Sequence, residues 1–379
     1  MLLPLGPMLA VRLNFPVEHV GYLNAAFLIA AAIAGLVGSL CLDRFDRRVA
    51  LSTALAGLAL GTAAASLATD LPTLVICRVF AGLCGGPAVS LGLAVIGDVA
   101  PVEWRGRAMA AVAAGSSMAL ILGVPLALQL TEVMGWRHTF LLVGGLGLSL
   151  AVSAVMFLPS GLGRRSAAGS GSGLREALHT FAEMLKQRNN LLTLANGALV
   201  FSSINMLAMN LAPYFIFNLG SAESELKYLW AAGGVAGLVS GQSSGWLADR
   251  FGAAKVLWAV SLLAALTYLL MFVQSGSGLP VVALMAGFMV CTSARIVLSI
   301  TLGSLAPSQQ HRGRFMSLMS ATNQAASATA MIGAAQVLQT TPSGALLHMD
   351  KLATFAIVAA LLSPILISLR VAQTEQTRL

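Results

Sequence analysis

The chain has 379 residues, of which 57% are hydrophobic and only 9% charged, with a net charge of +8 and a mean hydropathy of +0.84. Soluble domains carry about 25% charged residues, so this composition excludes a water-facing globular surface and puts the chain in lipid. The positive balance follows topology and does not suggest nucleic acid. Of the 22 Lys and Arg, four (Arg12, Arg137, Lys227, Lys351) fall on one side of the predicted spans and two (Arg78, Arg295) inside them; the other sixteen lie in the alternate loops, the central segment and the tail. Cationic loops are retained in the cytoplasm, so both termini are expected there, in a plasma membrane of the bacterial inner-membrane type.

In chain order, apolar runs bounded by turn or charge signals predict helices near 20–41, 50–69, 73–97, 108–131, 138–158, 191–218, 226–247, 254–274, 280–303, 315–338 and 352–370. A spanning helix needs about 20 apolar residues. Residues 1–12 supply a shorter first helix of roughly 18 Å, which is expected to be N-terminally incomplete. The segment opening Gly161-Leu162-Gly163-Arg164-Arg165 and running on in Gly and Ser is a flexible linker. After it, Leu174, Leu178, Phe181 and Leu185 recur at helical spacing and predict an amphipathic helix along the membrane surface. The expected organisation is an N-terminal bundle over 1–158, a cytoplasmic linker over 159–190, a C-terminal bundle over 191–371 and a tail over 372–379.

Asp43-Arg44-Phe45 and Asp249-Arg250-Phe251 stand 206 residues apart, and the register extends upstream: Pro7 with Pro213, Leu13 with Leu219, Tyr22 with Tyr228, Ala25-Ala26 with Ala231-Ala232. Two parallel copies of one unit are a common plan of secondary transporters, with the substrate path between them. A second echo follows each copy. Pro101-Val102-Glu103-Trp104-Arg105-Gly106-Arg107 and Pro307-Ser308-Gln309-Gln310-His311-Arg312-Gly313-Arg314 both enter the next helix through Arg-Gly-Arg.

Span count, repeat and loop motifs together resemble the major facilitator superfamily over essentially the whole chain. The family signature G-x-L-a-D-R-x-G-R-K is matched by Ser39-Leu40-Cys41-Leu42-Asp43-Arg44-Phe45-Asp46-Arg47-Arg48, with Ser39 and Asp46 in place of the two glycines. The second copy, Gly245 to Gly252, keeps both glycines and lacks the paired arginines. Gly115, Gly123-Val124-Pro125 and Gly135-Trp136-Arg137 resemble the drug and sugar efflux branch, the arabinose efflux permease-like group in particular. The helix 5 antiporter motif is partial here, since Ala127 and its neighbours replace the later glycines. The resemblance implies an all-α membrane fold of two six-helix bundles related by a pseudo-two-fold axis.

The resemblance also implies roles. Asp43, Arg44, Arg47 and Arg48, with Asp98 as their acid partner and Asp249 and Arg250 in the second copy, would gate the cytoplasmic side. Arg78 fits the family's R-x-x-x-G element and would take part in proton relay. A charge within a span costs at least about 2.5 kcal/mol, so Arg78 and the deeper Arg295 each need a partner, a cavity or a route to the interface. Arg295 is the first candidate for contact with substrate, followed by Asn205, Asn210, Asn323 and Gln324, because polar groups at lipid depth need hydrogen-bond partners. Ser116-Ser117 and Thr292-Ser293 read as interhelical packing.

Cys41, Cys77, Cys84 and Cys291 lie in or at the edge of apolar runs, as small packing residues do. No nucleophile, metal or phosphate-binding motif is present, and neither an enzyme nor a cofactor is expected. The expected function is export of a small amphipathic solute, drug-like or sugar-like, by a monomer exchanging it for protons. Uptake or facilitated diffusion, and a non-transporting paralogue or sensor, stay open as alternatives. None of the fourteen acids lies near a predicted midplane, so the proton carrier is left without an obvious deep carboxylate.

Overall fold

The computed structural model describes residues 2–41, 46–99, 104, 115, 118–161, 181–274, 278–304, 306 and 312–376. They form α1 (Leu2–Arg12), α2 (Val20–Cys41), α3 (Arg47–Ala64), α4 (Leu71–Val99), α5 (Val124–Met134), α6 (Trp136–Phe157), α7 (Arg188–Ala208), α8 (Leu226–Phe251), α9 (Ala253–Tyr268), α10 (Val281–Ser304), α11 (Arg312–Val337) and α12 (Met349–Gln376). A minimal hairpin, β1 (Gln339–Thr340) with β2 (Leu346–Leu347), joins the last two helices. One π-helical turn, Ala119–Gly123, precedes α5; two more, Tyr214–Asn218 and Leu269–Val273, prolong α7 and α9.

Among the described residues, eight segments are long and apolar enough to cross a membrane, and they coincide largely with α2, α3, α4, α6, α7, α9, α10 and α12. The outer helices leave bulky apolar side chains uncovered, as Leu146, Leu150 and Met156 of α6 do. Such a surface suits lipid and would aggregate in water.

The helix pairings define two bundles. In the first, α2 packs on α4, α4 on α3 and α3 on α6; in the second, α8 packs on α10, α10 on α9 and α9 on α12. Each pair of one list becomes a pair of the other when six is added to its numbers. The contacts between bundles obey the same rule, because α2 against α11 exchanges with α8 against α5. That is a two-fold axis relating the halves.

Local backbone repeats the register of the sequence. The single 3₁₀ turns Val17–His19 and Glu223–Glu225 stand 206 residues apart. So do Asn14 and Gly220, whose φ angles of 54° and 69° both fall in the left-handed region. Glycine enters that region freely, and asparagine is among the few other residues that visit it. The first helix therefore corresponds to the end of the seventh, and α1 packs on Leu211–Pro213.

Residue 46 illustrates how the two copies diverge. In the second copy the corresponding Gly252 has a φ of 89° and stops α8. In the first, Asp46 is an N-cap: its carboxylate accepts from the Arg48 N–H at 3.0 Å and from the Gly161 N–H at 2.7 Å. The first bond satisfies a free donor at the start of α3.

Of the predicted linker helix, Leu174 and Leu178 lie outside the described residues. Its end, 181–186, is helical, and Phe181 and Met184 are buried against Leu194 of α7 and Phe315 and Met319 of α11. This end docks on the C-terminal bundle through two apolar side chains; Leu185 is exposed.

Candidate functional site

A cavity of roughly 870 Å³ lies between the bundles. On the N-terminal side its wall contains Gly35 and Gly38 of α2 and Gly85-Gly86-Pro87 of α4. These small residues let the helices meet backbone to backbone: a Cβ at Gly82 or Gly86 would overlap the carbonyl of Phe27 or Ala31. Pro87 also lacks the N–H that would close the turn below it. On the C-terminal side, Ser317, Ser320, Asn323 and Gln324 line the cavity from α11. Their spacing places them on one stripe of the helix.

Arg47 and Arg314 mark one end of the cavity. This end faces the basic side of the molecule, where Arg48, Arg250 and Lys255 also lie. Asn323 is eleven residues along α11 from Arg312, about 16 Å at the usual helical rise, so the cavity reaches mid-depth. Among the described residues its lining holds two guanidinium groups and no carboxylate.

At the opposite face the bundles are joined by polar contacts. Lys227 at the start of α8 donates to Gln129 Oε1 of α5 at 3.0 Å and lies 3.5 Å from Glu132 Oε2. Thr340 of the hairpin donates to Glu18, just before α2. Asn218 pairs with both backbone groups of Leu346 at 2.9 Å, which fixes the hairpin to the end of the seventh helix. The molecule is thus closed on this face and hollow toward the basic one.

The sequence-predicted residues divide between several places. Asp43 and Arg44 lie outside the described residues, as do Ser116 and Ser117, and so does the side chain of Asp98. Arg47 Nη1 donates to the Ala94 carbonyl of α4 at 3.5 Å, and Arg48 Nη2 donates to the Val155 carbonyl of α6. Both residues open α3, but their guanidinium groups reach toward the C-terminal ends of α4 and α6, where the helix dipole favours positive charge. Asp249 and Arg250 are exposed, and Arg250 stacks over Trp246 at 5.4 Å.

Arg78 lies between two rings, 5.7 Å from the centroid of Phe140 and 6.0 Å from that of Phe27. Phe27 is itself on the cavity wall. Cation–π attraction therefore supplies part of what this guanidinium needs, while its Nε is buried without a partner.

Gly115 is exposed, Gly123 closes the π-helical turn and Pro125 occupies the first turn of α5. α8 packs on the π-helical turn: a Cβ at Gly234 would stand 3.0 Å from the backbone nitrogen of Ile121.

Asn323 and Gln324 line the cavity, and Asn323 Oδ1 is buried without a partner. Asn205 bonds Ser327 of α11 at 3.1 Å, whereas the Asn210 side chain, just past the end of α7, donates to the Met206 carbonyl at 3.0 Å. Neither is part of the cavity wall, and both act as packing groups. Arg295 is not on the wall either. It is completely buried inside the C-terminal bundle, donating to Ser203 at 3.2 Å and Tyr268 at 3.4 Å.

Three groups of the site were read from sequence only as topology markers or not at all: Lys227, Arg314 and the serines of α11. The serine stripe carries a helical period that could have revealed it.

The Major Facilitator Superfamily family description matches residues 1–331. The chain belongs to the Major Facilitator Superfamily. Among curated proteins of this kind it is 32% identical over 160 residues to the inner membrane transport protein YdhP of Escherichia coli K12, covering 42% of this chain and 41% of YdhP. It is 30% identical over 253 residues to a chloramphenicol resistance protein of Streptomyces lividans, covering 66% of this chain and 62% of that protein. In both cases it spans less than two thirds of the relative's own length. A crystal structure of a D-xylose–proton symporter superimposes with a TM-score of 0.71 at 18% identity, covering 92% of this chain and 86% of that one. At that identity the likeness speaks for the facilitator fold alone.

Proposed function

We propose that this facilitator exports a small amphipathic solute, drug-like or sugar-like, by alternating access, with protons moving the other way. The observation that carries the reading is the cavity between two symmetry-related bundles, closed at one face and reaching mid-depth from the other. A volume of roughly 870 Å³ falls within the range of small-molecule sites. Its composition, apolar walls with one polar stripe from Ser317 to Gln324, suits a solute with a greasy body and a few hydrogen-bonding groups.

Efflux is supported by the helix 5 elements Gly115, Gly123 and Pro125, of which Gly123 and Pro125 flank the junction between α5 and the π-helical turn whose Ile121 meets Gly234 of α8. It is also supported by the likeness to a chloramphenicol resistance protein. Asn323 and Gln324 contact the solute; Asp43, Arg44, Arg47, Arg48, Asp98, Asp249 and Arg250 gate the basic face. Arg78, behind Phe27, communicates between the cavity wall and the gate. The basic face is cytoplasmic, with both termini on that side, and the working unit is a monomer of bundles 1–158 and 191–371 joined by the linker 159–190.

The test is transport by the chain in everted membrane vesicles, with a panel of labelled amphenicols and sugars and an imposed pH gradient. Solute should accumulate in the vesicles when the gradient is present, and Asn323→Leu should raise the half-saturating solute concentration. Accumulation that persists when the pH gradient is collapsed rejects proton coupling. Absence of accumulation with every solute, in a chain that inserts and purifies normally, rejects export.

A further inference from the structure

Arg295 poses a problem the transport reading does not solve. It lies in the middle of α10, about 21 Å from its start and 13 Å from its end, and none of its surface is exposed. A guanidinium keeps its charge in proteins, and burying a charge without an opposite one is strongly destabilising.

No acid of the C-terminal bundle can meet it. Between residues 191 and 370 the only carboxylates are Glu223, Glu225, Asp249 and Asp350. The first two and the last sit at the opposite face, beside the starts of α8 and α12. Asp249 is exposed on the basic face. Gly241 of α8 stands beside Ser293 and Val297, so Asp249, eight residues further on, is displaced about 12 Å along the helix.

The hydrogen bonds of Arg295 are lopsided. Nη1 donates to both Ser203 and Tyr268, whereas Nε and Nη2 are buried with no acceptor. Nε and Nη2 form the edge of a guanidinium that offers two parallel donors, the edge that takes a carboxylate in a forked pair. Thr292, one turn earlier on the same face of α10, brings a buried hydroxyl beside that of Tyr268 without a hydrogen bond of ordinary length.

The surroundings are otherwise well ordered. Tyr268 packs on Phe288 at 5.7 Å between ring centroids. One turn beyond Arg295, Ser299 belongs to a closed chain in which Asn196 donates to Ser299 at 3.3 Å and accepts from Ser363 at 2.7 Å. The bundle satisfies its polar groups there and leaves three donors around Arg295 without a hydrogen bond of ordinary length.

We propose that the Nε and Nη2 edge of Arg295, with the Thr292 hydroxyl, is a binding site for one small anion within the C-terminal bundle. The site is separate from the cavity, whose wall in α7 and α10 is formed by Phe201 and Ile300, so it does not depend on the transport reading. Two sources share the required chemistry: an inorganic halide resident in the bundle, and the carboxylate of a small organic acid.

The test is thermal unfolding of the purified full chain in detergent, followed by tryptophan fluorescence, at constant ionic strength. Sodium chloride, sodium acetate or sodium formate replaces sodium isethionate, whose bulky sulfonate is the reference. A ligand of the folded state raises the midpoint in a saturable way. A saturable rise with chloride identifies a halide site; a rise with acetate or formate and not chloride identifies a carboxylate site. In either case Arg295→Gln should abolish the rise. Thr292→Val, nearly isosteric, should raise the half-saturating concentration about tenfold, as removal of one hydrogen bond to a charged group does. Flat midpoints with all three anions overturn the proposal, as does an undiminished response in Arg295→Gln. Should that variant fail to fold, an unchanged half-saturating concentration in Thr292→Val overturns it instead.

Discussion

The contact between α5 and α8 offers the sharpest test of how the bundles move. In a rocking cycle the face that is closed here must open, and Lys227 must leave Gln129 and Glu132. The pair is partly wet, with side-chain exposures of 21% for Lys227 and 42% for Glu132. Two charges 3.5 Å apart attract by about 1.2 kcal/mol in bulk water. Pairs with this exposure deliver about 0.2–1 kcal/mol once ordering and screening are counted. The hydrogen bond to Gln129 adds about 0.5–1.5 kcal/mol. Lys227→Met should therefore weaken the closed state of this face by about 1–2 kcal/mol, a factor of about 5–30 in the ratio of the two states. Spin labels at Val133 and Ser343, one on each bundle at this face, report the separation by pulsed electron resonance, and labels at Phe157 and Phe251 report the basic face. The variant should gain a longer distance at the first pair and a shorter one at the second. Glu132→Gln should reproduce part of the shift, and raised salt should reduce the difference between wild type and Glu132→Gln. Unchanged distributions at both pairs would refute the assignment of this contact as a gate.

Further outcomes follow from local geometry. Asp46→Ala removes the cap of α3 and should lower stability by about 0.5–2 kcal/mol, with Asp46→Asn losing much less; thermal melts in detergent measure both. Gly82→Val drives a side chain into the backbone of α2 and should cost about 1–3 kcal/mol or prevent assembly, whereas Gly145→Leu on α6, with open space at its Cβ, should leave the melting point unchanged or slightly raised. Hydrogen bonds from the Thr73 hydroxyl and N–H hold the Asp70 carboxyl below the usual carboxylate range. Because the folded value is the depressed one, its stabilisation is complete above the unfolded value of about 3.9 and disappears as pH falls through the folded value. Thr73→Val should flatten that acid limb of the stability curve, and a pH series of melting points checks it.

Much of the architecture could be read from the chain because it is written twice. The offset between Asp43 and Asp249 reappears in backbone features that no motif encodes, such as the left-handed Asn14 and Gly220. Hydropathy located the described helices to within several residues, since apolar length is what lipid selects; the start of the span expected at 108 lies outside the described residues. The site was less legible because depth along a helix says nothing about rotation around it. Asn196, next to the Gly197 that faces Asn323, lies at a depth comparable to Asn323, yet only Asn323 meets the cavity, and Asn196 is spent on Ser299 and Ser363. Arg295 fits a substrate contact by depth alone. Its direction is set by Ser203 and Tyr268 on two other helices, and it points into the bundle. Lys227 looked like a loop cation because its partners, Gln129 and Glu132, are almost a hundred residues away in sequence.

The two long helices that fail the test of apolar length make a connected point. Neither α8 nor α11 is among the segments apolar enough to cross a membrane on composition. Both face the other bundle, α8 against α5 and α11 against α2, although α2 itself is apolar enough to cross a membrane. A helix covered by protein along much of its length has no need of a greasy surface, and Ser, Gly, Ala and Asn can replace Leu and Ile there. The substitution also suits a contact that must separate. Small side chains bury little apolar area, at about 25 cal/mol per Å², so parting them costs less than parting interlocked leucines. The shortage of apolar residues in α8 and α11 thus suits an interface between bundles held lightly, with the apolar α2 supplying the greasy side of the α2–α11 seam.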